Sequence, residues 1–302
     1  MKKHWKGLLL WSNHFYGMCA ILLAADACLQ LLHVLPSVSI LAFIYLSTLF
    51  YYSWAYLQEI KGGNNNEGEK NERMLWYLQN EKYLKWRQWV LLFCLIYLGG
   101  PVLHLLPLLL HASIFIKCLI IISGALATLY YLPISWKSSK GNFRKIGVLK
   151  TFSIAWVWAI VCSLLPVWLT LQQDLQQRVN PFFWALFILQ LFVFIFILAF
   201  LFDIKDLQRD QAAQVNTLIV QFGVGQTIRK FLVPLLLLYL AIGIGIVTHF
   251  QLGYAHVGAD LMLTTATYWV AQIVVHEKGI HRNILLIDGL MLVKAILGLM
   301  IV

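Results

Sequence analysis

The sequence predicts an all-α, polytopic membrane protein of nine transmembrane helices, and three observations predict it. Hydrophobic residues make up 61% of the 302 and charged residues only 12%, too little polar surface for a soluble chain of this length. The apolar residues fall in long unbroken runs. Backbone groups in lipid must pair within their own segment, so such runs predict helices rather than alternating barrel strands. The net charge of +10 is sorted along the chain as a membrane topology would sort it.

Taken in order, the spans are expected at roughly 7–32, 38–60, 88–107, 112–133, 148–171, 181–203, 230–250, 258–275 and 284–302. Within the first, "MKKHWKGLLLW" followed by "AADA" also reads as a signal peptide with a small-residue cleavage site. Its apolar stretch is long for that role, and counting it as a helix keeps the charge asymmetry consistent. The second span stops at the polar stretch "KGGNNNEGEKNE", and the third starts only after the basic run that closes at Arg87. A second polar loop, "ISWKSSKGNFRKIG", parts the fourth span from the fifth. The sixth carries no charge between Arg178 and Asp203, and "HEKGIHRN" parts the eighth from the ninth.

All but three of the 23 Lys and Arg lie in the N-terminal tail, the even-numbered loops and their margins. The exceptions are Lys117, Arg178 and Lys294. The N-terminus and even loops are therefore expected in the cytoplasm, and the C-terminus outside. The basic balance reports topology and excludes the need for a nucleic-acid partner. A multi-pass protein of a bacterial inner membrane, forming one transmembrane domain over 1–302, is the expectation. The five cysteines, all in apolar spans and without a C-x-x-C pair, read as small buried hydrophobes.

Chemistry is expected on the cytoplasmic face, where nearly all polar material lies. Asp203, Asp206 and Asp210 are spaced i, i+3, i+7, which puts them on one helical stripe, close enough to share a cation. Mg2+ takes such carboxylate oxygens and leaves positions open for diphosphate. An acidic helix end paired locally with Lys205 and Arg209 is the plainer reading of the same spacing. Asn13 and His14, Asp26, and Asp288 with Lys294 are polar groups at membrane depth. Such groups face a bundle interior or a water-filled cavity, and Asn13 and Asp288 are candidates to line one. In "HEKGIH" the two histidines are five apart, on different helical faces, so zinc binding is not expected.

The stretch "FDIKDLQRDQAAQVNTLIVQFG" resembles the second aspartate-rich motif of the UbiA superfamily of intramembrane prenyltransferases, including the Thr217, Leu218 and Gly223 that follow the acids. The resemblance implies helices around a central cavity open toward the cytoplasmic membrane face. It implies Asp203, Asp206 and Asp210 as catalytic and Mg2+-binding groups, an isoprenoid diphosphate substrate and a lipophilic, often aromatic acceptor. The family's first motif, N-D-x-x-D at the end of helix two, is not matched: "YYSWAYLQEIKGG" offers Glu59 as its one acid. The segment "YYLPISWKSSKGNFRKIGVLK" resembles the family's Tyr- and Lys-bearing loop after helix four. Lys137, Lys140 and Arg144 are thereby implied as diphosphate partners, beside Asn13 and Glu59 as substrate-binding candidates. Three functions follow from these residues: a prenyltransferase; a catalytically degenerate UbiA-fold protein that binds isoprenoid lipid or a membrane partner; and a small-solute transporter.

Overall fold

The computed structural model describes residues 11–61, 72–130, 147–173, 178–205, 207, 211, 217–276 and 280–302, with backbone alone for 59–61, 72, 147, 276 and 280–284. Its described residues are helical, in the order α1 (His14–Leu32), α2 (Val38–Lys61), α3 (Glu72–Gln79), α4 (Glu81–Tyr97), α5 (Leu105–His111), α6 (Ile114–Leu129), α7 (Gly147–Ala159), α8 (Leu165–Gln173), α9 (Pro181–Lys205), α10 (Leu218–Phe222), α11 (Val224–Thr227), α12 (Val233–Phe250), α13 (Ala255–His276) and α14 (Ile280–Met300). Five helical spans among these residues are long and apolar enough to cross a bilayer, six when the bent pair 81–102 and 105–111 counts as one. The helices fall where spans were expected, but α6 is only 16 residues long, so the number nine stays an expectation.

Three spans contain a widened π turn, at Leu98–Val102, Ile160–Leu164 and Ile228–Leu232. The first holds Pro101, and the other two end two residues before Pro166 and Pro234. Proline supplies no N–H and clashes with the carbonyl four residues back, so the ladder slips to a wider register. At Leu103–His104 the chain bends by 58°.

Helix α9 is the axis of the bundle. It is apolar on every side: its second half is buried among other helices, while Phe182 and Leu189 in its first half are exposed. Asn180 caps it by accepting from the Phe182 and Phe183 N–H groups at 2.9 and 3.3 Å, and Pro181 sits at the first helical position, where no donor is needed. It packs chiefly on α7 and α12, while α1 packs between α14 and α2. Leu23, Phe194, Phe200, Leu201 and Ile287 form the buried centre. Trp86, Trp89, Phe93 and Ile96 of α4 point outward, toward what lipid would cover.

One sequence expectation needs correction here. The stretch to Arg87 was expected as a solvated loop, yet α3 occupies Glu72–Gln79 and α4 begins at Glu81. Tyr77 and Leu84 are buried against Leu57. The apolar face that these residues share outweighs the surrounding charge.

Candidate functional site

One end of the bundle gathers polar side chains from α1, α2, α3, α4, α7, α9 and α14. Asn13 is at its centre. It stands just before α1 with φ at +68°, a left-handed backbone that Asn tolerates better than most residues. Its side chain is 0% exposed. The amide donates to the Tyr77 hydroxyl at 2.7 Å and to Ser53 Oγ at 3.2 Å, and its oxygen accepts from the Arg73 guanidinium at 2.6 Å. Every polar atom of this buried side chain is thus engaged, which holds three helix ends in one register.

Two guanidiniums belong to the same cluster. Arg73 lies over the Tyr56 ring at 3.9 Å from its centroid and over Tyr16 at 5.6 Å, so ring faces and Asn13 share its charge. Arg87 is buried and donates to the Ser53 hydroxyl and, at 3.3 Å, to the Ser12 carbonyl. Burial pushes the Tyr77 phenol above its ordinary range, against the pull of the nearby Arg73, so it stays a neutral hydroxyl at physiological pH. Tyr16 stacks on Tyr52 with centroids 4.6 Å apart, and Trp158 donates to the Tyr52 hydroxyl at 2.9 Å. Asp288, 1% exposed, has no hydrogen-bond partner on either carboxylate oxygen among the described residues. The groups acting on it are the Tyr16 phenol and, through space, Arg73 and Lys205.

Asp203 belongs to this end but is already paired. It is 3% exposed, with Oδ1 accepting from Lys150 Nζ at 2.6 Å and Oδ2 from the Thr151 hydroxyl at 3.2 Å. That ammonium already neutralises one of the three carboxylates in the acidic run. No group of three or more His, Cys, Asp or Glu able to hold a metal occurs among the described residues. Asp206, Asp210, Lys137, Lys140 and Arg144 lie outside the described residues, as does the side chain of Glu59.

The structure brings Asn13 and Asp288 to one end, where Tyr16 and Arg73 lie near both. Sequence reasoning missed Arg73, Tyr77, Arg87 and Lys150. A signal for the first three was present: Arg73, Tyr77, Leu84 and Arg87 recur at intervals that fit one helical face.

No family model and no curated protein matches the chain. A solved structure does: a UbiA homolog from Archaeoglobus fulgidus, bound to Cd2+, superposes with a TM-score of 0.58 at 12% sequence identity. The match covers 97% of this chain and 98% of that one, so it spans the whole bundle. The chain has the UbiA fold.

Proposed function

We propose that the protein is a UbiA-superfamily intramembrane prenyltransferase, moving an isoprenoid chain from an allylic diphosphate to a lipophilic acceptor. One observation carries this reading: in a fold that matches a UbiA homolog from end to end, the D-x-x-D-x-x-x-D motif begins at the end of α9. With Asp203 paired to Lys150, Mg2+ is assigned to Asp206 and Asp210, and it would supply charge neutralisation for a bound diphosphate. The chain's own cations have a parallel task. Arg73 and Arg87 are forks that match phosphate oxygens, and they stand beside the end of α2, where the family's first acidic motif would be. Charge that develops on a leaving diphosphate is stabilised by such fixed donors in a dry site. Tyr16, Tyr52 and Trp158 would keep water from the reacting carbon. Lys137, Lys140 and Arg144 remain proposed as further phosphate partners, and Glu59 as the remaining acid at the end of α2.

The test uses purified protein in lipid nanodiscs with radiolabelled geranylgeranyl diphosphate, Mg2+ and a membrane lipid extract. Label moving to an extractable acceptor, lost in Asp206→Asn and Asp210→Asn, is the expected result. A second reading, binding of isoprenoid diphosphate without turnover, is favoured by the Arg73–Tyr56 stack at the position of the missing motif. It requires Mg2+-independent binding, no transfer, and loss of binding in Arg73→Met.

A further inference from the structure

The end of the bundle opposite Asn13 carries a second polar site, unrelated to the proposed diphosphate chemistry. From Asn13 to Asp26 along α1 the rise is about 20 Å. There a cavity of about 50 Å³ is lined by Asp26, Gln190, Tyr239, His256, Asp260 and Lys294, among apolar residues. Lys294 Nζ lies 3.2 Å from Asp26 Oδ2. The Tyr239 hydroxyl donates to Asp260 Oδ1 at 2.6 Å, and the Gln190 amide donates to Asp260 Oδ2 at 2.8 Å. Asp26 is 1% exposed, and its Oδ1 has no partner among the described residues.

Two features show that the site is built rather than left over. Asp26 Oδ1 rests on Gly298 and Asp260 Oδ2 on Gly243, and a methyl group at either glycine would overlap the carboxylate. Two helices thus lack a side chain where a carboxylate needs room. Gln30 fixes the first of these seats by donating to the Gly298 carbonyl at 2.8 Å.

The charges do not cancel. Two carboxylates face one ammonium; Tyr239 and Gln190 are neutral donors, and His256 lies at the cavity wall. An uncompensated negative charge at membrane depth is costly, so the site gains from taking up one positive charge. The ligand atoms are hard: carboxylate, phenol and amide oxygens, without the Cys and His set that a transition metal wants. A divalent ion would overcompensate a net single charge beside Lys294. The volume is enough for a small ion with one or two waters and too small for an organic substrate.

We propose that this cavity binds one monovalent cation of sodium size, with the Asp26 and Asp260 carboxylates as its anionic ligands and a proton as competitor. The experiment uses the full chain in nanodiscs at pH 7.5. Thermal stability is titrated with NaCl against choline chloride at constant ionic strength, and 22Na+ binding is counted directly. Expected are a saturable stabilisation by sodium alone, one 22Na+ per chain displaced on acidification, and at least a tenfold loss of affinity in Asp260→Asn. Because Asp260→Asn can disturb packing, the 22Na+ count on the parent protein decides independently. Equal stabilisation by choline, absence of bound 22Na+ in the parent, or undiminished sodium affinity in folded Asp260→Asn would each overturn the assignment.

Discussion

The pair Lys150–Asp203 bolts α7 to α9 at the acidic end of the bundle, and its removal gives a quantitative prediction. At 2.6 Å, two unit charges in an effective dielectric of about 20 attract by about 6 kcal/mol. Both side chains are nearly inaccessible, 9% and 4%, so desolvation costs several kcal/mol per ion and cancels most of that attraction. The pair as a whole therefore contributes little, while either half alone is expensive. Lys150→Met takes the ammonium from a buried carboxylate that keeps its Thr151 hydrogen bond and is expected to cost about 3–5 kcal/mol, and Asp203→Leu to cost a similar amount by taking the carboxylate from a buried ammonium. The double variant, with two apolar side chains of similar bulk, should recover most of the loss. Reversible unfolding of the four proteins in bicelles completes the cycle. Losses that simply add, with the double variant about 6 kcal/mol or more below the parent, would refute the argument that these two charges are each other's principal compensation.

Three further outcomes are expected. Asn13→Gly loses the hydrogen bonds of the side chain but keeps the left-handed backbone, whereas Asn13→Ala pays a further 1–2 kcal/mol or so for that conformation; equal melting temperatures would contradict this. Tyr77→Phe removes an acceptor from the buried Asn13 amide and should lower stability by about 1–2 kcal/mol, read by thermal unfolding. Arg73→Lys keeps the charge but gives up the guanidinium fork over the Tyr56 ring; it should weaken geranylgeranyl diphosphate binding about tenfold in a calorimetric titration, and unchanged affinity would remove Arg73 from the site.

What the sequence made legible follows from what lipid demands. A bilayer needs long apolar runs, and those runs locate most of the long helices within a few residues, including α9, whose uncharged stretch ends at Asp203, but not the start of α4 at Glu81. Asn13 and Asp288 stood out because polar groups at that depth are rare. Partnership was not legible. Lys150 meets Asp203 across 53 positions and Lys294 meets Asp26 across 268, and nothing local names either partner. Arg73 and Arg87 were hidden differently. They lie in a stretch dense with Asn, Glu and Lys, where average polarity suggested solvent and only the helical spacing of Tyr77 and Leu84 suggested a buried face. The Lys150 partner of Asp203 was hidden for a related reason. Spacing shows which carboxylates can be neighbours, but not which of them a lysine from another helix already neutralises.

The two left-handed residues that bracket α1 have a consequence for membrane thickness. Asn13 at φ +68° and His33 at +56° stop the helix at both ends, the latter closing it through its N–H to the Leu29 carbonyl at 3.0 Å. The 19 residues between them rise about 28 Å, close to the hydrocarbon thickness of an average bilayer, and the helix cannot lengthen by recruiting its flanks. Its neighbour α9, at 25 residues, rises about 37 Å and must tilt to fit the same slab. The bundle therefore combines a spacer of fixed length with a member that can lean.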